Sequence, residues 1–542
     1  MTDRGGLGMK KIHEMTLQEK VGQLFVAGFQ GTSPSEEIVE LIKDYHISGV
    51  IYFARNVAEP EQVHALSKGL QKVAKDAGAV PLFISIDQEG GMVARITEGV
   101  TLSPGNMALG AGRDEEVVHQ LGKVVGAELR MLGINMNYAP CIDVNNNPLN
   151  PVIGVRSYGE SAEFVAKMGV QAVKGLQDAN VSAVVKHFPG HGDTSVDSHL
   201  DLPVVNHDIK RLKELELVPF YKAFKHGVDA VMVAHVAFPS IDPEKVPSTL
   251  SRPVVTDLLR KEMGFNGVIM TDCMEMNAII DYYGMEEAAI LAVEAGIDQV
   301  LISHTFERQT RAIEAVIKAV ETGRISLQHI EEAVERILKL KEIRKLKEDI
   351  PEWTKISSEI GSSKHIEIAQ KASEASITLV RESDGLLPLR SEEKILLISV
   401  DPYVTSGADE TLYSNVTIGS YLEEKLPNLT EFIISVSPEE EEVDRLVIAA
   451  SDVDKIFVAT YQAIQHDSQA KLVQRLVNEF VDKVGVIALR SPYDVEKFTE
   501  VSTYILTYES RKLALQSVGK FLLGEIEAKG KLPITLGKAQ VN

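Results

Sequence analysis

The chain has 542 residues, a formal net charge of −22, 44% hydrophobic and 25% charged residues, and only two cysteines, Cys141 and Cys273. That length exceeds one ordinary hydrophobic core and predicts two domains. The composition is that of a globular protein; the acidic balance leaves no basic excess to displace phosphate counterions, which argues against a nucleic-acid partner, and the cysteine count excludes a disulfide scaffold.

The opening residues lack an apolar core of signal-peptide length, and no later stretch is apolar enough to span a bilayer. A cytoplasmic protein without a membrane partner is therefore the expectation. From there to about residue 345, short apolar runs alternate with amphipathic segments. The runs are GQLFVAGF (22–29), GVIYFA (49–54), PLFISID (81–87), INMNYAP (134–140), VSAVVKHF (181–188), VDAVMVAH (228–235), GVIMTD (267–272) and IDQVLIS (297–303). Each is apolar or β-branched almost throughout, as a parallel strand covered on both faces must be. Helical spacing fills the gaps, with Phe164, Met168, Val173 and Leu176 on one face of 161–178 and Ile330, Val334, Ile337 and Leu338 on one face of 326–345. Eight strand–helix alternations predict a (β/α)8 barrel over 1–345. A doubly wound sheet shares that alternation. The polar residues separate the two: Asp87, Asn137, Lys186, His187, His235 and Asp272 sit at the ends of different runs, and convergence of several strand ends on chemistry is the barrel arrangement.

Residues 346–375 carry Pro351 and the Gly361-Ser-Ser step and read as a linker with an entering helix near 364–375. A second alternation fills 376–542. ITLV (377–380), ILLISV (395–400), TEFIISV (430–436), KIFVAT (455–460), VGVIAL (484–489) and TYILTY (503–508) predict a smaller α/β domain. Glu439–Glu442 reads as the first turn of a helix, with Ser437 as its cap and Pro438 at its first position.

The densest polar cluster is KHFPGHGDTSVDSH at 186–199. Pro189, Gly190 and Gly192 forbid a helix, so this is a long loop leaving a strand. His187 and His191 have the four-residue spacing of zinc ligands on a helix, but the intervening Pro189 and Gly190 remove helical geometry and no zincin glutamate follows, so no metal is expected there.

This loop resembles glycoside hydrolase family 3, in its β-N-acetylglucosaminidase branch, and the resemblance runs over nearly the whole chain: DQEGG (87–91), NYAPCIDVNNNP (137–148), IGVRSYG (153–159), VMVAHVAFP (231–239), VIMTDCMEM (268–276), SITLV with LLPL, and GKLPITL near the end. It implies a TIM-like barrel followed by a smaller α/β sandwich domain. It also implies an exo-acting retaining enzyme without metal or cofactor, releasing terminal β-linked N-acetylglucosamine from short chitooligosaccharides or cell-wall peptidoglycan fragments. Asp272 corresponds to the nucleophile; Asp197 and His199 correspond to the acid/base pair. Asp87, Arg156, Lys186 and His187 correspond to residues gripping the terminal sugar, and His235 is expected at the rim near Asp272. Where many relatives have Arg after EGG this chain has Met92, and Arg95 is the candidate replacement. The second domain is expected to be non-catalytic, packing against the barrel or forming an oligomer interface, a homodimer included. Trp353 is the sole tryptophan, so no run of stacking platforms for a long polysaccharide is expected. Two other activities are weighed: a β-N-acetylglucosaminide phosphorylase, with phosphate resolving the intermediate, and a catalytically silent sugar-binding barrel. A β-glucosidase of the family would leave the Asp-Ser-His loop unexplained.

Overall fold

The computed structural model describes residues 10–197, 201–382, 385–402, 409 and 416–537. Eight parallel strands close into a barrel: β1 (Phe25–Ala27), β2 (Gly49–Tyr52), β3 (Phe83–Ile86), β4 (Met136–Asn137), β5 (Ser182–Phe188), β6 (Ala230–Val233), β7 (Val268–Cys273) and β8 (Gln299–Ile302). Neighbours follow chain order around the ring, and β8 pairs back onto β1. All eight coincide with the apolar runs. Alternate residues divide between the barrel interior (Val26, Ile51, Phe83, Met136, Val184, Met232, Met270, Leu301) and the layer under the helices (Val50, Tyr52, Ile84, Val185, Val231, Ile269). A parallel barrel strand is buried on both faces, which is why the runs lack polar alternation.

Two departures from regular pairing sit where the polar residues are. On β7, Met270 and Cys273 pair with Gln299 and Leu301 of β8, so β7 carries one extra residue in the stretch that includes Asp272. On β5, Val185 and Phe188 pair with Val231 and Val233 of β6, so the extra residue falls at Lys186-His187. An inserted residue re-aims the side chains beside it.

The second sheet comprises β9 (Thr378–Arg381), β10 (Ile395–Val400), β11 (Leu429–Ile434), β12 (Lys455–Thr460), β13 (Val484–Ala488) and β14 (Thr503–Leu506), in the order β9-β14-β13-β12-β10-β11. Only β9 is antiparallel. β11 is one edge of this sheet, and its Phe432 and Ile433 are exposed. The acidic helix runs Glu440–Ala450 with Glu439 as its N-cap, so Ser437 and Pro438 precede it rather than cap it.

The two sheets are joined tightly. Helix Ser363–Ser376 buries Ala369 and Ala372 in the barrel's core cluster, while Ser373 meets Ser517 of the C-terminal helix Lys512–Leu522. The final strand-like segment then returns to the barrel. Gly530 N–H donates to the Ile377 carbonyl, Lys531 N–H to that of Ala111, and Glu160 N–H to that of Pro533. Among the described residues, no helix is long and apolar enough to cross a membrane.

Candidate active site

The C-terminal ends of the barrel strands open into a cavity of about 320 Å³, bordered by Asp87, Glu89, Arg156, Lys186, His187 and Asp272. Its volume is at the lower end of small-ligand pockets. Asp87 follows β3 directly, Lys186 and His187 lie near the end of β5, and Asp272 is the penultimate residue of β7.

One wall is a buried ionic lattice. Lys186 Nζ lies 2.6 Å from Asp87 Oδ1 and 2.7 Å from Glu89 Oε1. Arg156 donates to both Glu89 oxygens, Nε to Oε2 at 3.0 Å and Nη2 to Oε1 at 2.7 Å. Arg95 approaches Asp87 at 3.5 Å. Burial alone would push the Glu89 carboxyl up, but the Arg156 and Lys186 charges outweigh it and hold the group well below the usual carboxylate range. Burial likewise opposes the charge on Lys186, and Asp87 with Glu89 reverses that shift. Glu89 and Lys186 thus stay ionised although buried, and fixed charges and donors of this kind orient hydroxyl groups strongly.

Asp143 organises the next layer. Its Oδ2 accepts from the His187 ring Nδ1 at 2.7 Å and from the His187 backbone N–H at 3.1 Å, while Oδ1 accepts from the His191 backbone N–H at 2.7 Å. Burial would raise this carboxyl, and the His187 interactions override it, leaving it lowered. Arg156 Nη2 faces His187 Nε2 at 3.3 Å. Arginine can only donate, so this contact makes Nε2 the acceptor and places the ring proton on Nδ1.

The glycines of the loop explain its path. A Cβ on Gly192 would lie 1.7 Å from the Val144 carbonyl oxygen, so only glycine lets this loop lie against the 137–148 segment. Asn150 fastens it, with Nδ2 donating to the carbonyls of His191 and Gly192 at 2.9 Å each. Asp197 is buried at the far end of this loop. His199 lies outside the described residues, so the expected Asp197–His199 pair is located only through Asp197.

Asp272 Oδ1 accepts from the Cys273 backbone N–H at 2.7 Å. His235 is fully buried and does not border the cavity, which corrects the rim position expected of it. Its Nε2 donates to the Cys273 carbonyl at 2.8 Å and its Nδ1 meets Thr249 Oγ1 at 2.8 Å. Two residues past the end of β6, it holds the backbone beside Asp272 through the Cys273 carbonyl.

The second sheet's region also reaches the site. Met92 is buried in that region's apolar cluster with Met107 and Val155. Arg95 approaches Asp87, and Arg511 Nε donates to the Gly91 carbonyl. Asp409 borders the cavity with its carboxylate held by Arg490 at 2.8 and 3.2 Å.

Sequence reasoning overlooked Glu89, Asp143, Arg511 and Asp409. The first had a readable signal: two buried cations, Arg156 and Lys186, need more anionic charge than Asp87 alone supplies. The others are long-range partners with no local pattern.

The chain matches the glycosyl hydrolase family 3 N terminal domain over residues 16–340. It is 46% identical to a glycoside hydrolase family 3 beta-N-acetylglucosaminidase of known structure from Paenibacillus sp. str. FPU-7, with a TM-score of 0.92 over 97% of this chain and 100% of that one. It is 32% identical to Beta-hexosaminidase A of Pseudoalteromonas piscicida, over 93% of this chain and 92% of that protein. A Beta-hexosaminidase of Xylella fastidiosa (strain M23) is 34% identical over 287 residues, 52% of this chain and 83% of its own length.

Proposed function

This chain belongs to glycosyl hydrolase family 3, and on that premise we propose that it is an exo-acting retaining β-N-acetylglucosaminidase. The observation that carries the reading is Asp272 at the end of β7, bordering the same cavity as the Asp87–Lys186–Glu89–Arg156 lattice. The lattice binds the hydroxyls of a terminal sugar and Asp272 attacks its anomeric carbon. A bond forms between a carboxylate oxygen of Asp272 and that carbon as the glycosidic bond breaks. The leaving oxygen takes its proton from the His199 imidazolium, which Asp197 stabilises. In the second half, neutral His199 removes a proton from water, which displaces Asp272 with overall retention.

A cavity of about 320 Å³ supports a single terminal sugar at the bond cleaved. Short chitooligosaccharides or peptidoglycan fragments are the substrates we assign. The domain division 1–345, 346–375 and 376–542 is part of this reading.

The test is turnover of chromogenic β-N-acetylglucosaminide against the matching β-glucoside. A preference of at least about 10-fold for the acetamido sugar is expected, the order that one hydrogen bond of about 1.5 kcal/mol gives. Equal rates, or a preference for the glucoside, would remove this specificity.

A further inference from the structure

Beside the catalytic loop, Asp193, His207 and Glu216 bring donor atoms within 4.8 Å of one another. Asp193 lies on the loop four residues before Asp197. His207 precedes the helix Ile209–Glu214, and Glu216 follows it. His207 and Asp193 already touch through Nε2 and Oδ2.

Glu216 is the unusual member. It is 3% exposed. Its Oε1 accepts from Asn146 Nδ2 at 2.8 Å and from Arg211 Nη2 at 3.4 Å. Its Oε2 is buried and accepts no hydrogen bond among the described residues, and the same holds for Oδ1 of the adjoining Asn146. Buried oxygens without donors are costly in a folded protein. A cation held with Asp193 and His207 would satisfy the Glu216 oxygen. The side chains of Asp193 and His207 are 24% and 34% exposed, so an ion can enter from solvent.

We propose that Asp193, His207 and Glu216 bind one divalent transition-metal ion of the zinc class, with water completing the coordination. One imidazole nitrogen with carboxylate oxygens suits that class; calcium and magnesium favour oxygen-only sets. The ion would enter between His207 and Asp193, which part to admit it. Its role is structural. Glu216 underlies the loop so closely that a Cβ on Gly190 would lie 2.9 Å from the Glu216 Cβ. Fixing Asp193 to Glu216 therefore braces the loop that carries Asp197. The site is separate from the reaction steps described above and does not depend on them.

The test titrates zinc chloride into chelator-stripped full-length protein, reading stoichiometry by calorimetry and stability by thermal melting. One equivalent is expected to bind and to raise the melting temperature. His207→Ala, a substitution at a partly exposed position, should weaken binding at least 10-fold, abolish the stability gain and leave the stripped enzyme's turnover in place. Glu216→Gln should also weaken binding. Cys273→Ser controls for the other exposed donor group, Cys273, Glu275 and His304, and should retain binding. Absence of stoichiometric binding to the unsubstituted protein overturns the proposal. So does binding that survives His207→Ala, or that is lost in Cys273→Ser alone. If Glu216→Gln fails to fold, His207→Ala decides the matter.

Discussion

The Asp143 carboxylate meets His187 twice through one oxygen, at 2.7 Å to the ring Nδ1 and 3.1 Å to the backbone nitrogen. One buried charge thereby fixes both the tautomer of a cavity residue and the backbone at the end of β5. Asp143→Asn keeps the shape and removes the charge. Its amide can also present N–H groups where the structure needs an acceptor. Loss of a charged hydrogen bond of this kind is worth about 1.5–3 kcal/mol, so kcat/KM should fall about 10- to 100-fold. Steady-state kinetics check this; an unchanged kcat/KM would mean that His187 needs no such support.

Asp272→Asn should abolish turnover while product binding, read by calorimetry, stays within a few-fold. The side chain keeps its volume and loses the nucleophilic oxygen. Loss of binding with residual turnover intact would assign Asp272 a recognition role instead.

Much of this arrangement was legible in the sequence, and the boundary of legibility has a physical basis. All eight barrel strands were visible because burial on both faces forces continuous apolar runs. The glycines at 190 and 192 showed a loop because no other residue fits the backbone there. The inserted residues on β5 and β7 were hidden, since a bulge changes pairing without changing composition. Asp143 was hidden because its value lies in meeting His187 and His191, forty-four and forty-eight positions away in sequence. His235 was misplaced because a histidine after a strand end can face the mouth or support a neighbouring strand, and only the Cys273 and Thr249 contacts decide between them. The second region's part in the site was invisible for the same reason: Arg511 reaches Gly91 from 420 positions away.

That last contact yields a prediction about the second region. Arg511→Ala removes a donor to the Gly91 carbonyl and frees the turn that carries Asp87 and Glu89. We expect KM to rise and kcat/KM to fall roughly 10-fold, the size of one hydrogen bond to a charged group. By the same logic a fragment ending near residue 350 should lose most of its activity, since Met92, Met107 and Val155 would be stripped of their cover. A fragment with full activity would make the second region dispensable to the site.

His191 predicts a pH dependence of stability. Burial pushes its imidazole down to about 4, against roughly 6.5 in an unfolded chain. Between those values the unfolded chain holds the proton and the folded chain does not. Stability is therefore fully present above about pH 6.5 and is lost as pH falls towards 4, by at most on the order of 3 kcal/mol. Asp494 and Glu509, which burial pushes up to about 7, act in the opposite sense: their contribution is present at low pH and lost as pH rises through 7. The measurement must therefore be a difference. Urea midpoints of the unsubstituted protein and His191→Asn, compared from pH 7 to pH 5, should converge as pH falls. Parallel curves would take His191 out of the acid sensitivity.

His199 predicts how the reaction divides between its two halves. An acid/base assists departure of a poor leaving group more than a good one, because only the former needs protonation. His199→Ala should therefore slow alkyl and sugar aglycones most. Activated aryl glycosides should lose little in bond cleavage and accumulate the covalent intermediate, visible as a burst. Equal loss across leaving groups would remove His199 from the acid role. The choice of histidine has a second consequence. After giving up its proton a carboxylic acid would be anionic and would repel a phosphate dianion, whereas a neutral imidazole would not. Phosphate is then electrostatically admissible as an acceptor in place of water. If the glycosyl-enzyme accepts it, added phosphate should speed its breakdown and yield sugar 1-phosphate in proportion. An unchanged rate with no sugar 1-phosphate at high phosphate would leave water as the sole acceptor, and would show that admitting an anion is not the same as binding one.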